Sequence, residues 1–376
     1  MSLADVLPSC LSAAQGQQNP LGLAAVRRAV VILVDGLGVA ALRARAGHAR
    51  FLSARLTKAS TLYSGFPTTT VAGIGSLCTG VAPGEHGLVA YRVLDRANDR
   101  TVNQLTGWDS EMDPATWQLA ETVFDKAAGQ GIGSWSVGPA RYRDSGFTQA
   151  VLRGSDYVGA ESIADRFDAA TELLQRIDRG LIYVYVPELD IAAHAHGCES
   201  EQWLAALEEL DARVSSFARR LRSGEGAWVT ADHGILDVPA SSQVLFDTVP
   251  ELVAGVRHVG GDPRCVHLYL DDSSLEETAA DEARERLAAD WRDVEGERSW
   301  VATRTEACAA GWFGPVVAPG VLPRIGDVLV AARARIAYYD SRIPGSKARS
   351  MIGQHGSFSA EETRVPLIGL GAFDRS

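Results

Sequence analysis

The sequence contains no apolar run long enough to cross a bilayer. Its longest strand-like stretch, Ala29–Val34, falls far short of the roughly 20 residues that a spanning helix needs. Cysteine is sparse: Cys10, Cys78, Cys198, Cys265 and Cys308 are scattered, odd in number and form no CxxC pair. That pattern argues against a disulfide framework and fits reduced thiols. Met1 to Val26 has no Lys or Arg, so the charged start of a secretory signal is missing there, and a cytoplasmic location is expected. Positive charge is also short, with 36 Lys and Arg against 47 Asp and Glu and a net charge of −11. A protein that coats a nucleic acid polymer or an anionic membrane needs a basic face, so neither partner is expected. A small anionic substrate stays open, because bound metal ions can supply positive charge locally. Internal repeats and long low-complexity segments are absent as well.

What is present is ordinary globular material. A chain of 376 residues, 46% hydrophobic and 22% charged, has enough for a sizeable core and for roughly two to three domain-sized units. Residues 1–25 read as a lead-in, with Gln15–Leu21 as loop. Short β-branched runs then alternate with helical patterns. Val30–Val34, Leu181–Val186 and Ala227–Ala231 read as buried strands. From Glu201 to Leu221, the apolar residues Leu204, Leu207, Leu210, Val214, Phe217 and Leu221 recur at helical spacing, which predicts a helix packed on a sheet. This alternation predicts an α/β fold with a mainly parallel sheet flanked by helices. Residues 238–339 differ in texture. Cys265–Leu270, Val328–Val330 and Ile336–Tyr339 are strand-like and Ser274–Trp291 is a charged helix, which together predict a smaller inserted α+β cap. Residues 26–237 and 340–376 would form the core, with Val365–Leu370 returning to its sheet.

Acidic and histidine residues follow the predicted strands, where open α/β sheets place their ligand sites. Asp35 ends the first strand. Asp190 and His194, four apart, follow the second, and Asp232 and His233 follow the third. His355 stands in Gly353-Gln-His-Gly356 before the last strand. Carboxylates with imidazoles suit Zn²⁺ or Mn²⁺. Any one of these taken alone reads more simply, an Asp before Gly as a turn residue and a lone His as a core or surface residue. Six together make that simple reading much weaker. The Asp35-Gly-Leu-Gly38 turn lacks the third Gly of a dinucleotide-binding loop.

Phe66-Pro-Thr-Thr-Thr-Val-Ala-Gly-Ile-Gly-Ser-Leu-Cys-Thr-Gly80, followed by Ala82-Pro-Gly-Glu-His-Gly87, resembles the nucleophile segment of type I phosphodiesterases and nucleotide pyrophosphatases of the alkaline phosphatase superfamily. In that family a Thr stands ten residues before a Thr-Gly pair, and counting back from Gly80 places it at Thr70. Asp35, Asp190 with His194, Asp232 with His233, and His355 occur in the family's order. The resemblance implies an alkaline-phosphatase-like core and two divalent ions, Mn²⁺ or Zn²⁺. One would be held by Asp190, His194 and His355, and the other by Asp35, Asp232 and His233, with Thr70 reaching it. Thr70 would attack phosphorus and pass through a phosphothreonine. Thr68 and Thr69 compete as nucleophiles, their simpler role being to cap the following helix. His196 reads as solvent-facing or as support for a ligand, His86 as fixing its own turn, His258 and His267 as surface or substrate contacts, and Cys198 as a small buried residue.

Nucleotide pyrophosphatases carry an Asn that touches the phosphate, and the register here gives Tyr91. Together with Pro83–Tyr91 and Gln354-His-Gly-Ser357, this resembles the actinobacterial cyclic di-AMP phosphodiesterases, which are cytoplasmic and manganese-dependent. The resemblance implies hydrolysis of cyclic di-AMP to pApA and AMP. A nucleotide pyrophosphatase, a phosphomonoesterase or a phosphonoacetate-hydrolase-like enzyme is the alternative within the superfamily. A metal-loaded pseudoenzyme that binds a nucleotide without turnover is the alternative of another class. Tyr91, Trp108 and Phe147 are candidates for stacking on a base. Arg92, Arg257 and Arg264 are candidates for pairing with a second phosphate, with Gly261-Asp-Pro-Arg264 a turn that would present Arg264. The expected partner is a small nucleotide, with the protein a monomer or weak homodimer.

Overall fold

Residues 1–271, 276–342 and 347–374 are described by the computed structural model. Seven strands, numbered along the chain together with all others, form the larger sheet. Their order is β2 (Thr61–Tyr63), β17 (Arg364–Gly371), β8 (Glu225–Thr230), β1 (Arg28–Val34), β7 (Gly180–Val186), β5 (Gly133–Gly138) and β6 (Asp156–Gly159). From β8 through β6 the pairing is parallel, and β17 runs antiparallel to both β8 and β2. β1 lies between two parallel neighbours and is buried from Ala29 to Val34. That is why its sequence is continuously apolar instead of alternating. The helix Glu201–Arg220 buries Trp203, Leu207, Leu210, Val214 and Phe217, and Ser200 caps it by accepting from the Trp203 amide.

The second sheet has the order β13 (Ser299–Thr303), β14 (Val328–Ala332), β12 (Cys265–Leu270), β11 (Val256–Asp262), β3 (Arg92–Asp95) and β4 (Arg100–Asn103). All its pairings are antiparallel. Residues 238–339 therefore supply only part of it. The β3–β4 hairpin comes from the range expected to belong to the core, and it covers the edge of β11 where Arg92 pairs with Gly261. Four- and five-residue strands carry no mark in sequence of which sheet they join. The helix Glu277–Glu295 lays Leu287, Ala288 and Trp291 against Val266, Leu268, Val328 and Val330. Ser274 and Leu275, where that helix was expected to begin, lie outside the described residues. Two short ladders lie in the segments of chain that connect strands of the two sheets, β9 (Leu236–Asp237) with β16 (Gly353–Gln354) and β10 (Gln243–Leu245) with β15 (Ala337–Tyr339).

The lead-in is part of the core. Val6–Ala14 is a helix whose Val6, Leu7 and Cys10 are fully buried, and Pro8 lies within 2.6 Å of where Gly80 would carry a Cβ. Proline is tolerated in a first helical turn, where the amide has no intrahelical partner to lose. Among the described residues, no helix is long and apolar enough to cross a membrane.

Candidate metal centre and its threonine

β8, β1 and β7 are adjacent and parallel, so the residues after their carboxyl ends converge. Asp232 follows β8 and Asp35 follows β1. Asp190 lies in the helix Glu188–His196, which begins directly after β7, and His194 is one turn further on the same face. Gly36 makes the approach possible. Its φ is 72°, and a Cβ there would stand 3.1 Å from the Asp190 side chain.

The three imidazoles share one device. The Nδ1 of His194 donates to Gly353 O at 2.8 Å, that of His355 to Thr68 O at 2.8 Å, and that of His233 to Gly234 O at 3.1 Å. A carbonyl only accepts, so each Nδ1 carries the proton and each Nε2 is left with its lone pair facing the site. His194 Nε2 lies 3.2 Å from His355 Nε2 and 3.3 Å from Asp190 Oδ2. His233 Nε2 lies 3.4 Å from Asp35 Oδ1 and 3.7 Å from Asp232 Oδ2. Ligand atoms of Asp35, Asp232 and His233 all lie within 4.8 Å of one another, as do those of Asp190, His233 and His355. His233 thus belongs to both clusters.

These residues fit divalent cations. Asp35 Oδ1, Asp190 Oδ1 and Asp232 Oδ2 are buried without a hydrogen-bond partner. Among the described residues, no Lys or Arg pairs with any of the three carboxylates. Burying unpaired carboxylates is costly, as is facing two imidazole lone pairs at 3.2 Å, and a cation offsets both. The pKa shifts have the same origin. Burial pushes Asp35 well above the carboxylate range, and the charges of Asp232 and Asp190 add to it. Burial also raises Asp232. His355 is held well below the usual imidazole value by burial and then by His233 and His194.

The three consecutive threonines are distinguished by their partners. Thr68 Oγ1 donates to Ser357 O at 2.8 Å and accepts from the Gly356 amide. Thr69 caps the helix Thr70–Thr79 by accepting from the Ala72 amide. Thr70 alone turns to the cluster, with Oγ1 3.1 Å from His233 Nε2. Gly73, one turn along, lets the helix press on Asp232, since a Cβ there would stand 2.6 Å from Asp232 O.

Several expected substrate contacts are placed elsewhere. Arg264 is fully buried, and all five of its N–H donors are used: two on Glu362, and one each on Ala332 O, Ala334 O and Ile336 O. None is left for a phosphate, so its role is to tie the second sheet at Ala332 and the following Ala334–Ile336 segment to Glu362 in the short helix Ala360–Thr363. Arg257 pairs with Asp99 and Asp271, and His258 with Asp99. His267 is buried inside the second sheet rather than exposed. His196 faces solvent, and His86 receives the Leu88 amide, which fixes its turn. Tyr91 is half-buried with its amide on Asp262 Oδ2, and Trp108 donates to Gln104 O. Asp262, pushed up to about 7 chiefly by burial, was not legible as a neighbour of the site.

A cavity of about 380 Å³ adjoins the centre. Its walls include Ile74 from the Thr70 helix, Phe147, and Tyr142, Tyr157, Tyr183 and Tyr185. Tyr185 links the two places, its hydroxyl donating to Asp35 Oδ2. The sequence carried a signal for part of this wall: Tyr183 and Tyr185 are two apart in a strand and so share a face.

Three carboxylates, three imidazoles and a helix-start threonine at the carboxyl ends of a mainly parallel sheet form a metal-centre layout on an α/β enzyme fold. The chain belongs to the type I phosphodiesterase/nucleotide pyrophosphatase family, whose model matches residues 29–358. It is similar to an uncharacterized pyrophosphatase/phosphodiesterase of Schizosaccharomyces pombe, 22% identical over 281 residues that cover 68% of this chain and 56% of the relative. It is also similar to the phosphopentomutase of Kosmotoga olearia, 31% identical over 105 residues. That match covers 28% of this chain and 26% of the relative, so the chain spans only about a quarter of that protein's length. Among solved structures, murine ectonucleotide pyrophosphatase/phosphodiesterase 5 in complex with AMP superposes with a TM-score of 0.69 at 16% identity, covering 92% of this chain and 88% of the other. Phosphonoacetate hydrolase from Sinorhizobium meliloti with phosphonoformate gives 0.67 at 18% identity, covering 92% and 91%. These likenesses establish the shared alkaline-phosphatase-like fold.

Proposed function

We propose that this protein is a metal-dependent phosphodiesterase that hydrolyses nucleotide phosphodiesters with Thr70 as the nucleophile, and that its substrate is cyclic di-AMP, opened to pApA and then cut to AMP. The observation that carries this reading is the position of Thr70 Oγ1, 3.1 Å from His233 Nε2, while the hydroxyls of Thr68 and Thr69 are committed to backbone groups. Asp35, Asp232 and His233 would hold one divalent ion, and Asp190, His194 and His355 the other. When bound, such a pair lowers the proton affinity of a hydroxyl and neutralises the attacking and leaving oxygens of an in-line displacement.

The chain's own groups supply the rest. The Thr70 proton is lost toward the cluster, and Oγ1 attacks phosphorus. The P–O bond to the ester alcohol breaks, and the alcohol departs with its electron pair and a proton from solvent. The resulting phosphothreonine, still esterified to the remaining nucleotide, is resolved when a water oxygen attacks the same phosphorus, the P–O bond to Thr70 Oγ1 breaks, and Thr70 regains its proton. Among the described residues, the Ala72 and Gly73 amides are taken by Thr69, which leaves those of Thr70 and Val71 at the positive helix end for a phosphoryl oxygen. The aromatic cavity beside Tyr185 gives a flat base a place next to the reacting phosphate.

Incubation with Mn²⁺ and a panel of cyclic di-AMP, pApA, ATP, p-nitrophenyl phosphate and phosphonoacetate, read by chromatography, tests the substrate. The expected products are pApA and then AMP, and a clear preference for the monoester or the phosphonate overturns the substrate assignment. Thr70→Ala is expected to keep its metal content and lose several orders of magnitude in kcat, about what removal of a covalent nucleophile costs.

A further inference from the structure

Thr68 stands two residues before Thr70 and takes no part in the proposed chemistry. It is 1% exposed, and it bonds to three consecutive residues of a segment far along the chain. Its carbonyl accepts from His355 Nδ1 at 2.8 Å. Its hydroxyl accepts from the Gly356 amide at 3.0 Å and donates to Ser357 O at 2.8 Å. His355, Gly356 and Ser357 lie between β16 and the helix Ala360–Thr363, outside any sheet ladder. Buried peptide groups there need partners from elsewhere, and one hydroxyl, with its donor and its lone pairs, meets an amide and a carbonyl at once. Ser357 has two further anchors, its amide on Glu362 Oε1 and its hydroxyl on Ala332 O. The two segments are joined a second time by the rings of Phe66 and Phe358, which stack with centroids 3.9 Å apart and planes 5° apart.

This clamp fixes two functional groups relative to one residue. Along the chain, Thr68 is two residues from Thr70, whose Oγ1 lies 3.1 Å from His233 Nε2. Across the fold it holds His355, whose ring lies on that of His233 with centroids 3.8 Å and planes 18° apart. The same ring brings its Nε2 to 3.2 Å from His194 Nε2. The Thr68 carbonyl keeps the proton on His355 Nδ1 and so leaves the Nε2 lone pair to the cluster. Any residue type has that carbonyl. The hydroxyl is what ties down the peptide groups that follow His355 and holds the ring within reach. We propose that Thr68 is a positioning residue whose hydroxyl sets the place of His355, and with it the ion site assigned to Asp190, His194 and His355, in register with Thr70. This deepens the metal-dependent reading and rests on it.

Equilibrium dialysis of the full-length protein against Mn²⁺, with bound metal counted by elemental analysis, tests this without turnover. The wild type is expected to bind two ions per chain. Thr68→Val keeps the shape of the side chain and removes the hydroxyl, which takes a partner from the buried Gly356 amide and Ser357 carbonyl. It is expected to weaken one ion about 10- to 100-fold, the range for losing a partner behind a metal ligand, and to leave the other at its wild-type affinity. Thr68→Ser restores the hydroxyl and is expected to return both ions to wild-type affinity. Wild-type binding of both ions by Thr68→Val overturns the inference. Equal weakening of both ions, which general destabilisation produces, overturns it too, as does a serine variant that behaves like the valine one. A valine variant that does not fold leaves a test on the wild type. Long-range ¹H–¹⁵N correlation of ¹⁵N-histidine-labelled, metal-free protein at about pH 8, above the usual imidazole value, is expected to show the His355 proton on Nδ1. A proton on Nε2 overturns the clamp. The two readings fail separately. A wild type that binds fewer than two ions defeats the two-metal reading itself, and two ions that ignore Thr68→Val defeat the positioning role alone.

Discussion

Arg264 shows how residue type and residue role come apart. An arginine in a Gly-Asp-Pro-Arg turn near an anion-handling site suggests a phosphate clamp. Folded, its guanidinium forms a fork with Glu362 and spends its remaining donors on backbone carbonyls. Removing one partner of such a buried pair strands the other charge, which costs about 3–5 kcal/mol. Arg264→Ala is therefore expected to lower the denaturant midpoint substantially while leaving the KM of the folded fraction for a nucleotide unchanged. Chemical denaturation alongside steady-state kinetics checks both parts, and a raised KM at unchanged stability contradicts this placement. The threonines make the opposite point. Three identical side chains in a row differ only in where the backbone aims them, one to Ser357, one to its own helix and one to His233.

At the scale of the element, the Thr70 helix is positioned by what its glycines lack. Alanine in place of Gly73 favours a helix by up to about 1 kcal/mol, yet its Cβ would stand 2.6 Å from Asp232 O and 2.8 Å from Asp232 Cβ. Backbone at that distance cannot swing aside, so the helix must shift, and overpacking of this kind costs about 1–3 kcal/mol. Gly73→Ala is expected to change stability by no more than about 2 kcal/mol while lowering kcat by at least about tenfold, because Thr70 rides on the displaced helix. Comparing kcat with the thermal midpoint separates misplacement from unfolding, and full activity contradicts the tight approach. The strands were the most legible elements, since β1 and β7 carry unbroken runs of apolar and aromatic residues from Ala29 to Val34 and from Leu181 to Val186. The β3–β4 hairpin and the Val6–Ala14 helix were not, because short segments with mixed composition take their structure from the surface they cover.

For the whole molecule, the candidate metal centre links folding to pH. Asp35 and Asp232 have folded pKa values raised by burial above the ordinary carboxylate value of about 3.9. A group of this kind contributes its full stabilisation below the unfolded value and loses it as pH rises through the folded one. His355 is lowered by burial, so its contribution is present above about 6.5 and is lost in acid. As pH rises from about 3.9 through the raised folded values, the metal-free protein is therefore expected to lose the thermal stability that the two carboxylates contribute, with His355 opposing the loss only below about 6.5. Mn²⁺ or Zn²⁺ should reverse it, adding about 2.7 kcal/mol per site at a hundredfold excess over Kd. Thermal scans across pH with chelator and with metal check this, and identical pH profiles in the two series contradict it.

By itself the sequence determined the α/β class, the order of the main strands and which acidic and histidine residues follow them, because burial on both faces and strand-end chemistry leave local marks. It also set the chemical kind of the donors. Tertiary structure alone decided that Asp35, Asp190 and Asp232 lie side by side, since that depends on strand order in the sheet and not on order in the chain. It likewise decided which threonine faces them, that His233 belongs to both clusters, and that Arg264 is enclosed. Each of these is a contact between residues far apart in the chain, and no local pattern of residue types encodes such a meeting.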